Sequence, residues 1–351
     1  MITSILQSPS KRGALIGSLV LSFALGACIH SRSGSGDETA GPPPSKSGQL
    51  LEQGDALFRE RNYGEAGETY ELAAAAAETE GHTSNHVEAL AQVARAYSIR
   101  NLGEEGKPWL ERAAALASSD EPRGWSRYLL VKGVYQREED NRESATATFE
   151  NLYNYCLIHD LHRRAVNAAH MLAIAAEPEA QINWGLKGIR AAEAGGFDEW
   201  LGPLWNNLGW TYEDLGRNDE SLDALIKARE YHWKGGSDHA KLVADWSVGH
   251  ACRMVGELKQ AATWMEATYQ WAEQRYEENP TPDTAEWVGS ALRELGEIAL
   301  AEGRSAEGLE LLEGARAKLI EAGMEKWDPE GFADLSAQIA RLVSASLGDH
   351  E

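Results

Sequence analysis

Two pairs of histidines have a spacing at which both imidazoles could bind one metal ion. His159 and His162 are three residues apart, and His82 and His86 are four apart, so on a helix each pair would share one face. A metal site would need a third ligand, and the sequence offers no candidate for it. The sequence also contains no glycine-rich phosphate loop, nucleophile elbow or zinc-protease motif. We therefore predict no catalytic residue, no metal site and no cofactor.

The N-terminal region ends in a cysteine whose thiol could be modified. Residues 11–28 read KRGALIGSLVLSFALGAC, in which two basic residues precede a short apolar run. This pattern is typical of a secretory signal peptide and is too short for a membrane-spanning helix. The run ends in Leu25-Gly26-Ala27-Cys28, which resembles the lipobox of bacterial lipoproteins. The resemblance implies cleavage before Cys28 and its diacylation. The alternative is an ordinary signal peptide in which Cys28 has no role.

Residues 28–48 form a predicted flexible tether. After Cys28 the segment is rich in Ser, Gly and Pro and has no aromatic residue, so it cannot bury enough surface to offset the entropy lost on ordering. Its root-mean-square reach is about 25 Å. Residue 29 is Ile and not Asp, which by resemblance to enterobacterial sorting favours the outer membrane over the inner one. We therefore expect loss of the signal peptide 1–27 and a lipid anchor at the periplasmic face of the outer membrane.

The chain is strongly acidic, with a formal net charge of −22. Such a charge argues against nucleic-acid binding and against a body that lies flat on anionic lipid. We interpret the acidic surface as solvated. The alternative is that it attracts a basic partner.

Small residues recur along the chain at a regular interval. The clearest copy of the pattern is Trp205-x-x-Leu208-Gly209-x-x-Tyr212, which resembles the signature of tetratricopeptide repeats (TPRs). Seven copies align on the small residue of that signature, at Gly54, Ala94, Gly133, Ala173, Gly209, Gly249 and Gly296. The copies are 36–47 residues apart, which is longer than the family's repeat of about 34 residues.

Two further positions follow in every copy. A second small residue comes twelve residues later, at Ala66, Gly106, Ala145, Gly185, Ser221, Ala261 and Gly308. A bulky apolar residue comes four residues after that, at Tyr70, Leu110, Phe149, Ile189, Leu225, Met265 and Leu312. Two antiparallel helices approach closely only where side chains are small, and the bulky residue then fills the groove against the next helix pair.

The resemblance implies an all-α, right-handed α-solenoid of about seven TPR-like helical hairpins over residues 49–325. Asp328-Pro329 is typical of a helix start, and apolar residues follow it at helical spacing. Residues 326–351 are therefore predicted to form a C-terminal capping helix and tail. Repeat two is the weakest copy, because Pro108 lies two residues after Gly106. We expect its second helix to begin late.

Cys156 and Cys252 are the remaining cysteines of the predicted body. An oxidising compartment would permit a disulfide, but more than two repeats separate the two residues. Neighbouring helices lie ~8–10 Å apart, whereas a disulfide needs Cα atoms within ~7 Å. Both are predicted to be buried free thiols.

Tryptophan is abundant, with twelve residues, and some could face a binding groove. In TPR proteins the first helix of each repeat lines the concave face. Carried over by position, the lining residues are His170 in repeat four, Asn206, Trp210 and Glu213 in repeat five, Trp246, His250 and Arg253 in repeat six, and Arg293 and Glu297 in repeat seven. Aromatic residues beside Arg and Asn are typical of binding hot spots. The alternative is that Trp210 and Trp246 are wedged between repeats.

These observations predict a membrane-anchored periplasmic lipoprotein that acts as a non-catalytic scaffold. Its partner would be a protein or peptide bound in the concave groove, with envelope-complex assembly as one setting, and it would bind no nucleic acid. The alternative function is a sensor or an enzyme with an unrecognised small-ligand site on the solenoid.

Overall fold

The computed structural model describes residues 45–348. The predicted signal peptide, Cys28 and residues 28–44 of the predicted tether lie outside the described residues. Residues 45–348 contain sixteen α-helices and no β-strand, which confirms the all-α prediction. The first helix begins at Lys46, so residues 46–48, which we assigned to the tether, are helical.

Fourteen of these helices follow one another as seven hairpins. The first helices of the hairpins are α1 (Lys46–Arg59), α3 (Thr83–Ser98), α5 (Pro122–Glu138), α7 (His162–Ala175), α9 (Leu201–Asp214), α11 (Asp238–Met254) and α13 (Pro282–Ala301). The second helices are α2 (Tyr63–Glu80), α4 (Gly103–Leu116), α6 (Arg142–Ile158), α8 (Pro178–Gly195), α10 (Asn218–Gly235), α12 (Leu258–Glu278) and α14 (Ser305–Glu321). A short 3₁₀ helix, Asp198–Trp200, precedes α9.

Two more helices follow the last hairpin. They are α15 (Met324–Trp327) and α16 (Pro329–Gly348). Asp328 begins α16 by accepting a hydrogen bond from the backbone N–H of Gly331 at 3.0 Å, as its position before a proline indicated. Leu335 and Ile339 of α16 are buried in one core with Leu312 and Leu319 of α14. The predicted capping helix is therefore present and covers the last hairpin.

The described chain divides into two compact units, and the boundary falls between Thr211 and Tyr212. We call residues 45–211 the first unit and residues 212–348 the second unit. The core of the first unit includes Phe58, Leu90 and Phe149, and that of the second includes Leu242, Val288 and Leu312.

The small residues bring the helices of a hairpin into close contact. A Cβ added at Gly54 would lie 2.5 Å from Cε1 of Tyr70, and one added at Gly133 would lie 2.4 Å from Cε1 of Phe149. In the second unit the same relation joins Gly249 with Met265 and Gly296 with Leu312. The bulky residue therefore lies on the small residue of its own hairpin, a contact that the sequence pattern did not specify.

The bulky residue also reaches the next hairpin, as predicted. Tyr70 is fully buried, and its Oη lies 3.0 Å from Nε2 of Gln92 on α3. The same hydroxyl donates a 2.6 Å hydrogen bond to Oδ1 of Asp55 on α1. One side chain thus connects three successive helices, α1, α2 and α3.

The expected late start of the second helix in repeat two is wrong. Helix α4 begins at Gly103 and continues through Pro108 to Leu116. Its first turn is held by packing, because Gly106 lies against Tyr135, whose hydroxyl donates a 2.8 Å hydrogen bond to the carbonyl of Ala94. Packing against α3 and α5 thus offsets the backbone N–H that proline lacks.

Most turns between the two helices of a hairpin contain one residue in the left-handed region. These residues are Arg61, Asn101, Asp140, Gly216, Gly256 and Gly303, with φ between 58° and 84°. The turn before α8 differs, since Pro178 begins that helix. At Arg61 the side chain makes this conformation unfavourable by about 1–2 kcal/mol.

The two cysteines of the described chain, Cys156 and Cys252, are buried and free, which confirms that prediction. None of the helices within residues 45–348 is long and apolar enough to cross a membrane.

Candidate functional site

From the second hairpin onward, the first helix of each hairpin has more buried residues than the second helix. On α3 every residue from 87 to 96 is buried, because α3 packs against α2, α4 and α5. Polar groups on such a helix must find hydrogen-bond or ionic partners within the protein or in a ligand. The polar side chains of the first helices are therefore the candidate functional groups.

Most of the predicted groove residues are buried, whereas a binding hot spot needs side chains that a partner can reach. Trp210 in the first unit and Trp246 in the second are 6% and 7% exposed. His170, Asn206 and His250 are also buried, whereas Arg253 and Arg293 are half-buried. The low exposure of the two indoles agrees with the alternative that the sequence left open, in which Trp210 and Trp246 are enclosed between helices. First helices have helices on several sides, so a lining position need not face solvent.

Trp246 is held by two neighbours within the second unit. Its Nε1–H donates to the backbone carbonyl of Ser290 on α13 at 3.3 Å. Its ring stacks on the imidazole of His250, with centroids 5.2 Å apart and planes 13° apart. The indole therefore packs α11 against α13, which is a structural role.

His250 is the centre of an ionic network in the second unit. Its Nδ1 lies 3.1 Å from Oε1 of Glu294, and its Nε2 lies 3.0 Å from Oε1 of Glu213. Arg253 donates from Nε to Oε2 of Glu294 at 2.8 Å. Burial opposes the charged imidazole, but the two carboxylates outweigh it and raise the pKa of His250 to about 9. The ring is then protonated, and both of its N–H groups donate.

We call these four residues the His250 network. Two carboxylates meet two cations, so the network is balanced in charge, and it links the end of α9 with α11 and α13. Among the four, only Glu294 was missed from the sequence. Its neighbour Arg293 was named instead; it is half-buried, and burial lowers its pKa.

His170 is a buried neutral histidine in the first unit. Its Nε2 accepts a 3.0 Å hydrogen bond from the side-chain amide of Asn207. Burial, followed by the positive charges of Arg137 and Arg95, lowers the pKa of His170 to about 3. The proton of the neutral ring is therefore on Nδ1, which makes no hydrogen bond within the described chain. The buried amide of Asn206 also makes none there.

A cluster that sequence reasoning missed surrounds Glu88 on α3. The buried carboxylate lies 2.7 Å from Nη2 of Arg164, 3.4 Å from Nε of Arg127 and 3.7 Å from Nε of Arg123. Burial would raise the pKa of Glu88, but the three guanidinium groups lower it to about 2. We call these four residues the Glu88 cluster.

The lining rule used on the sequence would have found two other arginines of α3 and α5, but none of the residues of the Glu88 cluster. The positions that gave the predicted groove residues in repeats four to seven also exist in repeats two and three. There they give Arg95 on α3 and Arg137 on α5. Glu88 and its three arginines come from three different first helices, and Arg164 is 76 residues from Glu88, so no local motif marks them.

The histidine pairs do not come together with further ligands. His159, His162 and His82 are exposed, and His86 is half-buried. Within residues 45–348, no three His, Cys, Asp or Glu side chains are placed to hold a metal ion.

The comparisons with known proteins concern the fold. No protein-family model and no curated protein sequence matches the chain. Among solved structures, a Signal Transduction ATPase with Numerous Domains (STAND) protein with a tetratricopeptide-repeat sensor, from Pyrococcus horikoshii, is 12% identical with a TM-score of 0.61, and the match covers 84% of this chain and 44% of that protein. This chain thus spans less than half the length of that protein.

Two further structures are similar over most of the chain. A Rap protein complexed with competence and sporulation factor is 12% identical with a TM-score of 0.56, and the match covers 86% of this chain and 87% of that one. The APC/C hetero-tetramer Cut9–Hcn1 is 12% identical with a TM-score of 0.51, and the match covers 84% of this chain and 56% of that one. These likenesses and the seven hairpins establish that the chain has the all-α fold of tetratricopeptide-repeat proteins.

Proposed function

We propose that this protein is a non-catalytic scaffold that binds a protein or peptide through its first helices. The observation that carries the proposal is the gathering of charged side chains on those helices, at the Glu88 cluster in the first unit and at the His250 network in the second. Arginine-rich, partly enclosed polar surfaces are typical of protein recognition. A Rap protein of this fold is known in a complex with competence and sporulation factor, which supports a binding role.

The proposal includes an envelope location. The lipobox-like residues 25–28 and the tether that follows them would anchor the body to the periplasmic face of the outer membrane through lipidated Cys28. Radiolabelled palmitate should then be incorporated into the wild-type chain and not into Cys28→Ala. Equal labelling of the two proteins would remove the anchor from the proposal.

Photocrosslinking in cells tests where the partner binds. A benzophenone amino acid replaces Arg137 on α5 in one variant and Arg293 on α13 in another; both are half-buried first-helix positions. The matched controls place it at Leu72 on α2 and Ile320 on α14, which are exposed positions on second helices. We expect a discrete crosslinked protein from at least one first-helix position and none from the controls.

Two results would count against the scaffold. Crosslinks confined to the second-helix positions would place binding on the opposite helices. An absence of protein crosslinks, together with a rise in Tm on addition of a small metabolite, would favour the alternative of a sensor or enzyme with a small-ligand site. Helicity measured by circular dichroism controls for damage by the inserted residue.

A further inference from the structure

Arg137 is a partly enclosed cation whose buried end has no bonded counter-charge. It lies in the last turn of α5 and is half-buried. Its Nη2 is buried and makes no hydrogen bond within residues 45–348. The acidic residue that acts on it is its neighbour Glu138, but Oε1 of that exposed carboxylate accepts a 2.7 Å hydrogen bond from Oγ of Ser98. The enclosed end of the guanidinium therefore has no hydrogen-bond acceptor within the described chain.

The surroundings of Arg137 disfavour its charge. Burial lowers the pKa of Arg137, and Arg95 and Arg142 act in the same direction, whereas Glu138 acts against them. Enclosing a cation costs free energy unless the cation is paired and hydrogen-bonded. An anion at Nη2 would therefore stabilise the charged guanidinium.

A second unpartnered donor lies near Arg137, on the next first helix. The imidazole of His170 on α7 is 1% exposed, and among charged groups Arg137 acts on it most strongly. Its Nε2 accepts a hydrogen bond from Asn207, so its proton is on Nδ1, and that N–H makes no hydrogen bond within the described chain. The two groups are both donors and cannot bond to each other, so one acceptor could serve both.

The chemistry of these two donors selects a small monovalent anion. Water can accept from both, but only an anion also balances the charge of Arg137. A doubly charged anion would leave a negative charge unbalanced beside buried groups. A carboxylate on a protein segment would need an open path to His170, which a residue that is 1% exposed does not offer. A free ion needs only side-chain motion of the half-buried Arg137 to enter.

We propose that the first unit binds one small inorganic monoanion, of the size of chloride, between Nη2 of Arg137 and Nδ1 of His170. This inference goes beyond the proposed scaffold function and does not rest on it. The site does not use Arg95, whose guanidinium lies 5.1 Å from the ring centroid of Phe58, nor any residue of the Glu88 cluster. The bound ion connects α5 with α7 and thereby stabilises the first unit.

Bromide can show where the ion binds, because it resembles chloride and scatters X-rays anomalously. Crystals of the protein are grown in sodium bromide, and diffraction data are collected at the bromine absorption edge. We expect an anomalous peak within hydrogen-bond reach of both Nη2 of Arg137 and Nδ1 of His170. Crystals of Arg137→Gln, which lacks the cation, should show no peak there.

Thermal unfolding shows whether the ion binds in solution. Tm is measured in sodium chloride, sodium bromide and sodium gluconate at equal ionic strength, because gluconate is too large for the site. At an ion concentration ten times Kd, linkage predicts a Tm higher by roughly 3–6 °C than in gluconate for a unit of this size. Arg137→Gln should abolish the difference. The control Arg112→Gln, which removes an exposed cation from the second helix α4, should retain it.

Three outcomes overturn the inference. The first is the absence of an anomalous peak between Arg137 and His170. The second is an equal response of Tm to chloride in Arg137→Gln and Arg112→Gln. The third is a peak without a rise in Tm, which would mean an adventitious ion only. If Arg137→Gln loses helicity, His170→Leu, which removes the other donor, replaces it. The scaffold function is tested separately by the photocrosslinks, and none of these results changes that outcome.

Discussion

Replacing Gly133 with alanine should destabilise the first unit, although Gly→Ala in the interior of a helix usually stabilises a protein. The added methyl would lie 2.4, 2.7 and 2.8 Å from three ring atoms of Phe149, whereas carbon atoms pack at ~3.5–4.0 Å. Phe149 is fully buried, so its ring cannot move out into solvent. Overpacking of this kind costs ~1–3 kcal/mol.

The helix propensity of alanine offsets part of that cost, since Gly→Ala in a helix interior gains ~1 kcal/mol. Because the added methyl would lie less than 3 Å from three atoms of the enclosed Phe149 ring, we place the overpacking cost in the upper part of its range, roughly 2–3 kcal/mol, and the expected net change is a loss of roughly 1–2 kcal/mol in the free energy of unfolding. For a cooperative unit of this size the loss lowers Tm by roughly 2–8 °C. Urea denaturation followed by circular dichroism at 222 nm gives the free energy, and a thermal scan gives Tm.

A control and a repair identify the cause. A Cβ added at Gly67 on α2 would lie 3.5 Å from Cβ of Ala96, which is an ordinary van der Waals contact. Gly67→Ala should therefore raise Tm. Phe149→Leu in the Gly133→Ala background should recover stability, such that the double variant loses less than the sum of the single ones. An unchanged or higher Tm for Gly133→Ala, or additive losses, would refute the close contact between the two positions.

Three other perturbations have expected outcomes. Arg61→Gly should raise Tm, with a gain of up to about 1 kcal/mol because it relieves a left-handed backbone, whereas Gly256→Ala in the equivalent turn should lower it. The pKa of His250 is raised in the folded state to about 9 from about 6.5 in an unfolded chain. The protonated imidazole therefore stabilises the fold fully below pH 6.5, and this contribution is lost as the pH rises through 9. The difference in free energy of unfolding between wild type and His250→Gln, measured by urea titration, should shrink over that pH range. Glu88→Gln should lower the free energy of unfolding by ~3–5 kcal/mol because three arginines lose their buried counter-charge, while the exposed control Glu150→Gln should leave it unchanged.

The fold could be predicted from the sequence because close helix contacts restrict residue size. At Gly54 and Gly133 only a small residue permits the approach of Tyr70 and Phe149, so the register was visible as a spacing. The free state of Cys156 followed from the same spacing. Each of these predictions depended on contacts between helices adjacent in sequence.

The candidate site could be predicted only in part. The lining rule located His250 and Arg253, but it could not show that helices on several sides enclose Trp246. It also could not reveal Glu88 with Arg164, because that pair joins helices from different repeats and leaves no local pattern. The start of α4 before Pro108 was missed for a related reason: packing of Gly106 outweighs the local effect of proline.

The small-to-bulky contacts also bear on how the chain avoids misassembly. Repeat proteins risk pairing a helix with the wrong copy, because their modules resemble one another and folding can begin anywhere along the array. Here Gly54 contacts the ring of a tyrosine whose hydroxyl forms hydrogen bonds, Gly133 contacts a phenylalanine ring, and Gly249 contacts a flexible methionine side chain. A helix paired with a foreign partner would lack a matching surface. We therefore expect the differences among the repeats to favour pairing of each helix with its native partner during folding.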